Sequence, residues 1–129
     1  MLLDNNFLND RRVYRTVKEL AEHNYEITLL CNKEQGLIDE EVVKGVKLIR
    51  KFDAKFYEFK NRKAIKDVAA EIVNEYHFDI IHAHDQYMLN LGAEIKKISG
   101  KPLIYDSHEF AINDIPNQSL SSIKLKKNT

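Results

Sequence analysis

Cysteine, proline and glycine are scarce in this 129-residue chain, and neither sign of charge prevails. The single cysteine, Cys31, excludes an internal disulfide and predicts a reducing compartment. The four glycines (Gly36, Gly45, Gly92 and Gly100) stand where they cannot form G-x-G-x-x-G or a Walker A loop. The usual glycine-built cradle for a dinucleotide pyrophosphate is therefore missing. Twenty basic and twenty acidic residues cancel, which removes the electrostatic argument for a nucleic-acid partner. No run approaches the roughly 18 apolar residues that cross a bilayer. No basic segment followed by an apolar core opens the chain, so secretion is not expected. These absences together predict a soluble, cytoplasmic protein.

What is present is ordinary globular material, 43% hydrophobic and 31% charged, enough for one domain around one core. Met1-Leu2-Leu3 reads as the end of a strand, shorter than the usual five or six residues and so expected to be clipped at its start. Asn9 or Asp10 can cap a helix running to about His23, with Val13, Val17, Leu20 and Ala21 on one face and Asn24 as its stop. Residues 25–31 predict a strand, 32–41 a loop, and 46–49 a strand after a bend at Gly45. Residues 52–59 are aromatic-rich and ambiguous. Ile65, Val68, Ala69, Ile72, Val73 and Tyr76 form a helical stripe over 62–76. A strand over 79–82, a loop, a helix over 87–98 ended by Ser99-Gly100, and a strand opened by Pro102 follow. In 111–129, Pro116 interrupts the pattern, and Leu120, Ile123 and Lys124 suggest a helix. Strands alternating with helices predict βαβ units: a mostly parallel, doubly wound sheet with helices on both faces.

Polar residues gather where two predicted strands end. His82 and His84, spaced i and i+2, face one side of a strand and could share a metal ion with Asp106, His108 or Glu109. Alternatively His82 is a buried, hydrogen-bonded imidazole, while His84 and Asp85 begin a loop with Asp85 at a helix N-terminus. His108 could donate to a phosphate or sugar hydroxyl, or move a proton near neutral pH; the alternative is a solvated loop histidine. Glu109 either orients His108 or faces water, and Asp106 could simply bond the backbone of the turn. Arg11 or Arg12 could reach a phosphate, or lie on a solvated helix end. Cys31 reads as an inert, partly buried thiol, and Lys124, Lys126 and Lys127 as a solvated face.

Taken in order, several stretches resemble the N-terminal domain of family 4 retaining glycosyltransferases of the GT-B fold. They are Asp10-Arg11-Arg12-Val13, the run from Leu20 to Cys31, Phe78-Asp79-Ile80-Ile81-His82-Ala83-His84-Asp85, and Ile104-Tyr105-Asp106-Ser107-His108-Glu109. The resemblance spans Leu2 to about Pro116. It implies a Rossmann-like half that holds the acceptor, while a second domain binds the nucleotide-sugar donor and transfer occurs between them. It further implies that His108 approaches the donor sugar and its phosphate and that His84 and Asp85 line the acceptor side; Asp106 and Glu109 are also expected to bind substrate. The loop from Asn5 to Asp10, with Asn6, Asp10 and Arg11, matches one that is glycine-rich in many relatives; without glycine its phosphate contact is not expected to be direct. No metal or other cofactor is implied. Partners are a nucleotide sugar and a glycan or lipid-linked acceptor, with peripheral contact at the inner membrane face left open. The chain is expected to be a single domain, 1–129, truncated at both ends and inactive alone, since no counterpart of the donor domain's paired glutamates is present. Two alternatives stay open: a metal-dependent hydrolase using His82, His84, Asp85 and His108, and a non-catalytic binding module of the same fold.

Overall fold

The computed structural model describes residues 1–53, 56 and 62–108. Helix α1 (Arg11–Glu22) starts where the sequence predicts, because the Asp10 carboxylate accepts the Val13 N–H at 3.1 Å. Asn24, at φ 65°, turns the chain away in the left-handed region that asparagine tolerates. Strand β1 (Thr28–Asn32) follows, then β2 (Glu40–Val43) and β3 (Val46–Phe52). Helix α2 (Arg62–Glu75), strand β4 (Ile81–His84), helix α3 (Asp85–Ser99) and strand β5 (Leu103–Asp106) complete the described chain.

One sheet contains all the strands. β1 pairs parallel with β3, and β4 parallel with β5. Leu2 joins the two groups, bridging in parallel to Leu30 on one side and to Ala83 on the other. Backbone bonds from Leu2 N–H to His82 O (2.8 Å) and from Leu3 N–H to Leu30 O (3.0 Å) fasten this seam. The strand order is therefore β2-β3-β1-Leu2 segment-β4-β5, and it reverses direction of growth between Leu2 and β4. All pairings are parallel except that of β2, which makes the fold Rossmann-like.

Three expectations are corrected. The loop predicted over 32–41 gives way at Glu40 to an antiparallel edge strand, and β2 and β3 turn on Lys44 (φ 50°) and Gly45 (φ 83°). Two consecutive positive φ values are the signature of the tight hairpin whose twist matches its strands. Strand β4 ends at His84, two residues later than predicted, because His84 N–H still donates to Leu2 O at 3.0 Å. The loop predicted after it is absent: α3 begins at Asp85 itself.

Alternating strand residues feed two apolar clusters. Leu3, Leu29, Cys31, Val46 and Leu48 pack with Val13 and Val17 of α1. Leu2, Leu30, Ile49, Phe52, Ile81 and Ala83 pack with Ala69 and Ile72 of α2 and with Met88, Leu91 and Ile95 of α3. Gly92 lets α3 lie close on the sheet: a Cβ there would stand 2.8 Å from Leu103 Cδ1 and 3.4 Å from Ala83 Cβ. Gly100, at φ 71°, closes α3 by donating to Lys96 O, as the Ser99-Gly100 pair predicts. Among the described residues, no helix is long and apolar enough to cross a membrane.

Candidate functional site

The carboxyl ends of parallel strands are where an open α/β sheet presents its ligand-binding groups. Here β4 and β5 end together. In their register His82 lies opposite Ile104 and His84 opposite Asp106, so both histidines and Asp106 leave the same face of the sheet. His108, two residues beyond β5, folds back over them.

The result is a row of three imidazoles around one carboxylate oxygen. The rings of His82 and His84 stack with centroids 4.2 Å apart, and those of His84 and His108 lie 5.6 Å apart and within 4° of parallel. His84 Nδ1 stands 3.3 Å from His108 Nε2. Asp106 Oδ2 is 3.6 Å from His108 Nε2, 3.7 Å from His84 Nδ1 and 3.9 Å from His82 Nε2. Exposure falls from Asp106 (40%) to His82 (16%), His108 (12%) and His84 (0%). The carboxylate is the rim and His84 the floor.

Burial, reinforced by the neighbouring imidazole of His82, pushes His84 down to about 4 in spite of Asp106. Burial also lowers His82. Desolvation disfavours the cation, so both rings are neutral near pH 7.

Asp85 is not part of this cluster. It opens α3 at φ 67°, and its carboxyl meets that of Asp4, which follows the Leu2–Leu3 segment. Burial, then the charge of Asp85 and a hydrogen bond with it, raise Asp4 to about 6. The two acids flank the point where the strand order reverses, the crevice in which ligands of such sheets bind.

The first loop holds itself together without glycine. Asn5 Oδ1 accepts from Phe7 N–H at 2.7 Å, Asn6 Oδ1 from Leu8 N–H at 3.0 Å, and Asn5 Nδ2 donates to Asp10 Oδ2 at 2.8 Å. Asn6 Nδ2 also donates to Glu34. Burial would raise Asp10, but bonds from Val13 N–H and Asn5, with the Arg12 charge, outweigh it and hold the group low. Asn6 and Asp10 thus shape the loop, while Arg11 and Arg12 are exposed beside it along a surface depression. Glu109 and the stretch 111–129 lie outside the described residues.

Sequence reasoning missed one charged residue altogether. Arg50 is 2% exposed; Nη1 donates to Ile38 O at 2.7 Å and Nη2 to Glu41 at 2.6 Å. It binds the connection before β2 to β3, across from Cys31, its register partner. Its only signal in the sequence is an arginine that follows Val46, Leu48 and Ile49 in a β-prone stretch.

A Rossmann-like sheet with its polar cluster at the carboxyl ends of β4 and β5 defines the class of protein: an α/β domain that presents its polar groups where parallel strands end. The model of the family described as Glycosyltransferase Family 4 matches residues 10–126, and the chain belongs to that family. No curated protein matches the chain.

Proposed function

We propose that this chain is the acceptor-side, N-terminal half of a retaining GT-B glycosyltransferase, doubly wound like its expected partner domain. One observation carries the reading: in a family 4 chain, His84, Asp106 and His108 converge at the carboxyl ends of two adjacent parallel strands, beside the reversal of strand order. An acceptor hydroxyl attacks the anomeric carbon of a nucleotide sugar, the bond to the diphosphate breaks, the hydroxyl proton passes to the departing diphosphate oxygen, and configuration is retained. The imidazole of His108 donates to the departing phosphate, where negative charge develops. Asp106 positions that imidazole, and His84 backs it from inside the sheet. Asp85 lines the acceptor side with His84, while Asn6, Asp10 and Arg11 of the first loop and Glu109 after His108 complete the substrate-binding set. Transfer on this reading needs no metal or other cofactor. Donor selectivity resides in a second domain, the acceptor is a glycan or a lipid-linked saccharide, and the setting is the cytoplasm or the inner membrane face.

The test is an enzyme in which this chain is joined to a donor-binding domain. His108→Ala is expected to lower kcat by about 100-fold or more while leaving the acceptor KM within about threefold. Full activity in that variant, or no transfer from any nucleotide sugar by the parent enzyme, overturns the reading.

A further inference from the structure

A hydrogen bond joins His84 Nδ1 and His108 Nε2, but hydrogen bonding does not explain how close Asp106 Oδ2 stands to both. The edges of the triangle formed by His84 Nδ1, His108 Nε2 and Asp106 Oδ2 are 3.3, 3.6 and 3.7 Å. Both edges to the carboxylate exceed the length of a direct hydrogen bond, which lies near 2.7–3.2 Å for N–H···O, roughly. They are also too short for a shared water, since two groups bonded to one tetrahedral water stand about 4.5 Å apart. Two ligands held at about 2.0–2.1 Å by one tetrahedral zinc ion lie roughly 3.3–3.5 Å apart. The observed edges fall within a few tenths of an ångström of that spacing.

A fourth donor is at hand. His82 Nε2, 3.9 Å from Asp106 Oδ2, is buried and has no hydrogen-bond partner. One ligand atom from each of His82, His84 and Asp106 falls within a common 4.8 Å span, and His108 reaches that group through His84 and Asp106. Coordination would give His82 Nε2 the partner it lacks. Coordination of His84 through Nδ1 places that ring's proton on Nε2, which is buried and stays without a hydrogen-bond partner.

We propose that His82, His84, Asp106 and His108 form a binding site for one divalent transition-metal ion of the zinc class. Three imidazole nitrogens and one carboxylate oxygen suit zinc or cobalt, whereas magnesium and calcium demand oxygen ligands. The parallel register of β4 and β5 fixes three of the four donors on rigid strands, and His108 completes the set from the loop. Ion binding does not depend on the transferase reading. If that reading holds, an ion here ties His108 to the cluster and withdraws it from a sugar phosphate, so metal acts as an inhibitor of transfer.

The experiment is titration of the untagged, chelator-treated full chain with Co2+, followed by displacement with Zn2+. The expected result is one Co2+ per chain with the intense visible absorption of a tetrahedral site, bleached by Zn2+ and untouched by excess Mg2+. Asp106→Ala and His108→Ala, both at the open side of the cluster, should each weaken binding by roughly tenfold or more, and the double variant should lose the band. The exposed His23 and His77 serve as controls, and their replacement by alanine should change nothing. Absence of the tetrahedral spectrum in the parent chain, or its persistence in a folded double variant, overturns the proposal. The parent titration decides alone should a variant fail to fold. Direct binding is read without donor or acceptor, so its failure is distinct from failure of the transferase reading.

Discussion

His84 and Asp106 are register partners in a parallel pair, one fully buried and the other on the rim. The pairing places a neutral imidazole directly behind a carboxylate, and both groups depend on β5 remaining in place beside β4. Energetically, the buried member of the pair dominates.

Because burial depresses His84 to about 4 from 6.5, its neutral form is favoured in the folded chain. The associated stability is present above pH 6.5 and is lost as pH falls through about 4, an effect on the order of 2–3 kcal/mol. His84→Gln should flatten the acid limb of a stability-versus-pH curve measured by urea unfolding. A variant whose acid limb matches the parent's would refute this assignment.

Asp4 works in the opposite sense. Its carboxyl is raised from 3.8 to about 6, so the folded chain holds a proton that the unfolded chain releases. Stability from this group is present below pH 3.8 and is lost as pH rises through about 6. Asp4→Asn should therefore stabilise the chain at pH 7 by about 1–2 kcal/mol, after allowance for solvent screening, and do little at pH 4. Thermal melts at the two pH values check it.

Glu41→Gln leaves the buried guanidinium of Arg50 without its charged partner. The expected cost is about 2–4 kcal/mol, read as a drop in the urea midpoint with an unchanged slope. An exposed pair such as Lys18–Glu22, with both side chains over 60% open, should cost well under 1 kcal/mol when broken, on the order of a few tenths.

Cys31 is 0% exposed, and burial, with a smaller contribution from Glu41, pushes its thiol up to about 11 despite Arg50. A thiol-specific reagent at pH 8 should label it only at the rate of unfolding. Stoichiometric labelling within the mixing time would show that β1 is open to solvent.

Gly92→Val should destabilise by about 1–3 kcal/mol, because the added methyls meet Leu103 and Ala83 across the α3–sheet interface. The midpoint of chemical unfolding measures it.

The helices were legible from sequence because their signals are local: the Asp10 cap, the stripe over 62–76, and Gly100 as a stop. β2 was not, since its charged Glu40 and Glu41 read as loop; an edge strand with one open face needs few apolar residues. His84 reads as a loop residue until the Leu2 carbonyl is seen to hold it in the sheet. Polar clusters at positions 82–85 and 106–109 are visible in the sequence, which offers both Asp85 and Asp106 as partners of the imidazoles; the structure selects Asp106. That division follows from strand register, which no single stretch encodes. Arg50 was invisible for the same reason: its partners come from the connection and from β2.

The asparagine-stapled loop before α1 is shaped during folding. Its turns are closed by Asn5, Asn6 and Asp10 side chains, and Phe7 is held at φ 71° within it. A glycine-rich loop at the same place would have to be ordered by whatever binds there, with a loss of conformational entropy at each encounter. Here that entropy is surrendered once, when the chain folds. On the proposed function, the loop would meet its ligand as a template already set, with no loop adjustment left to help a poor fit.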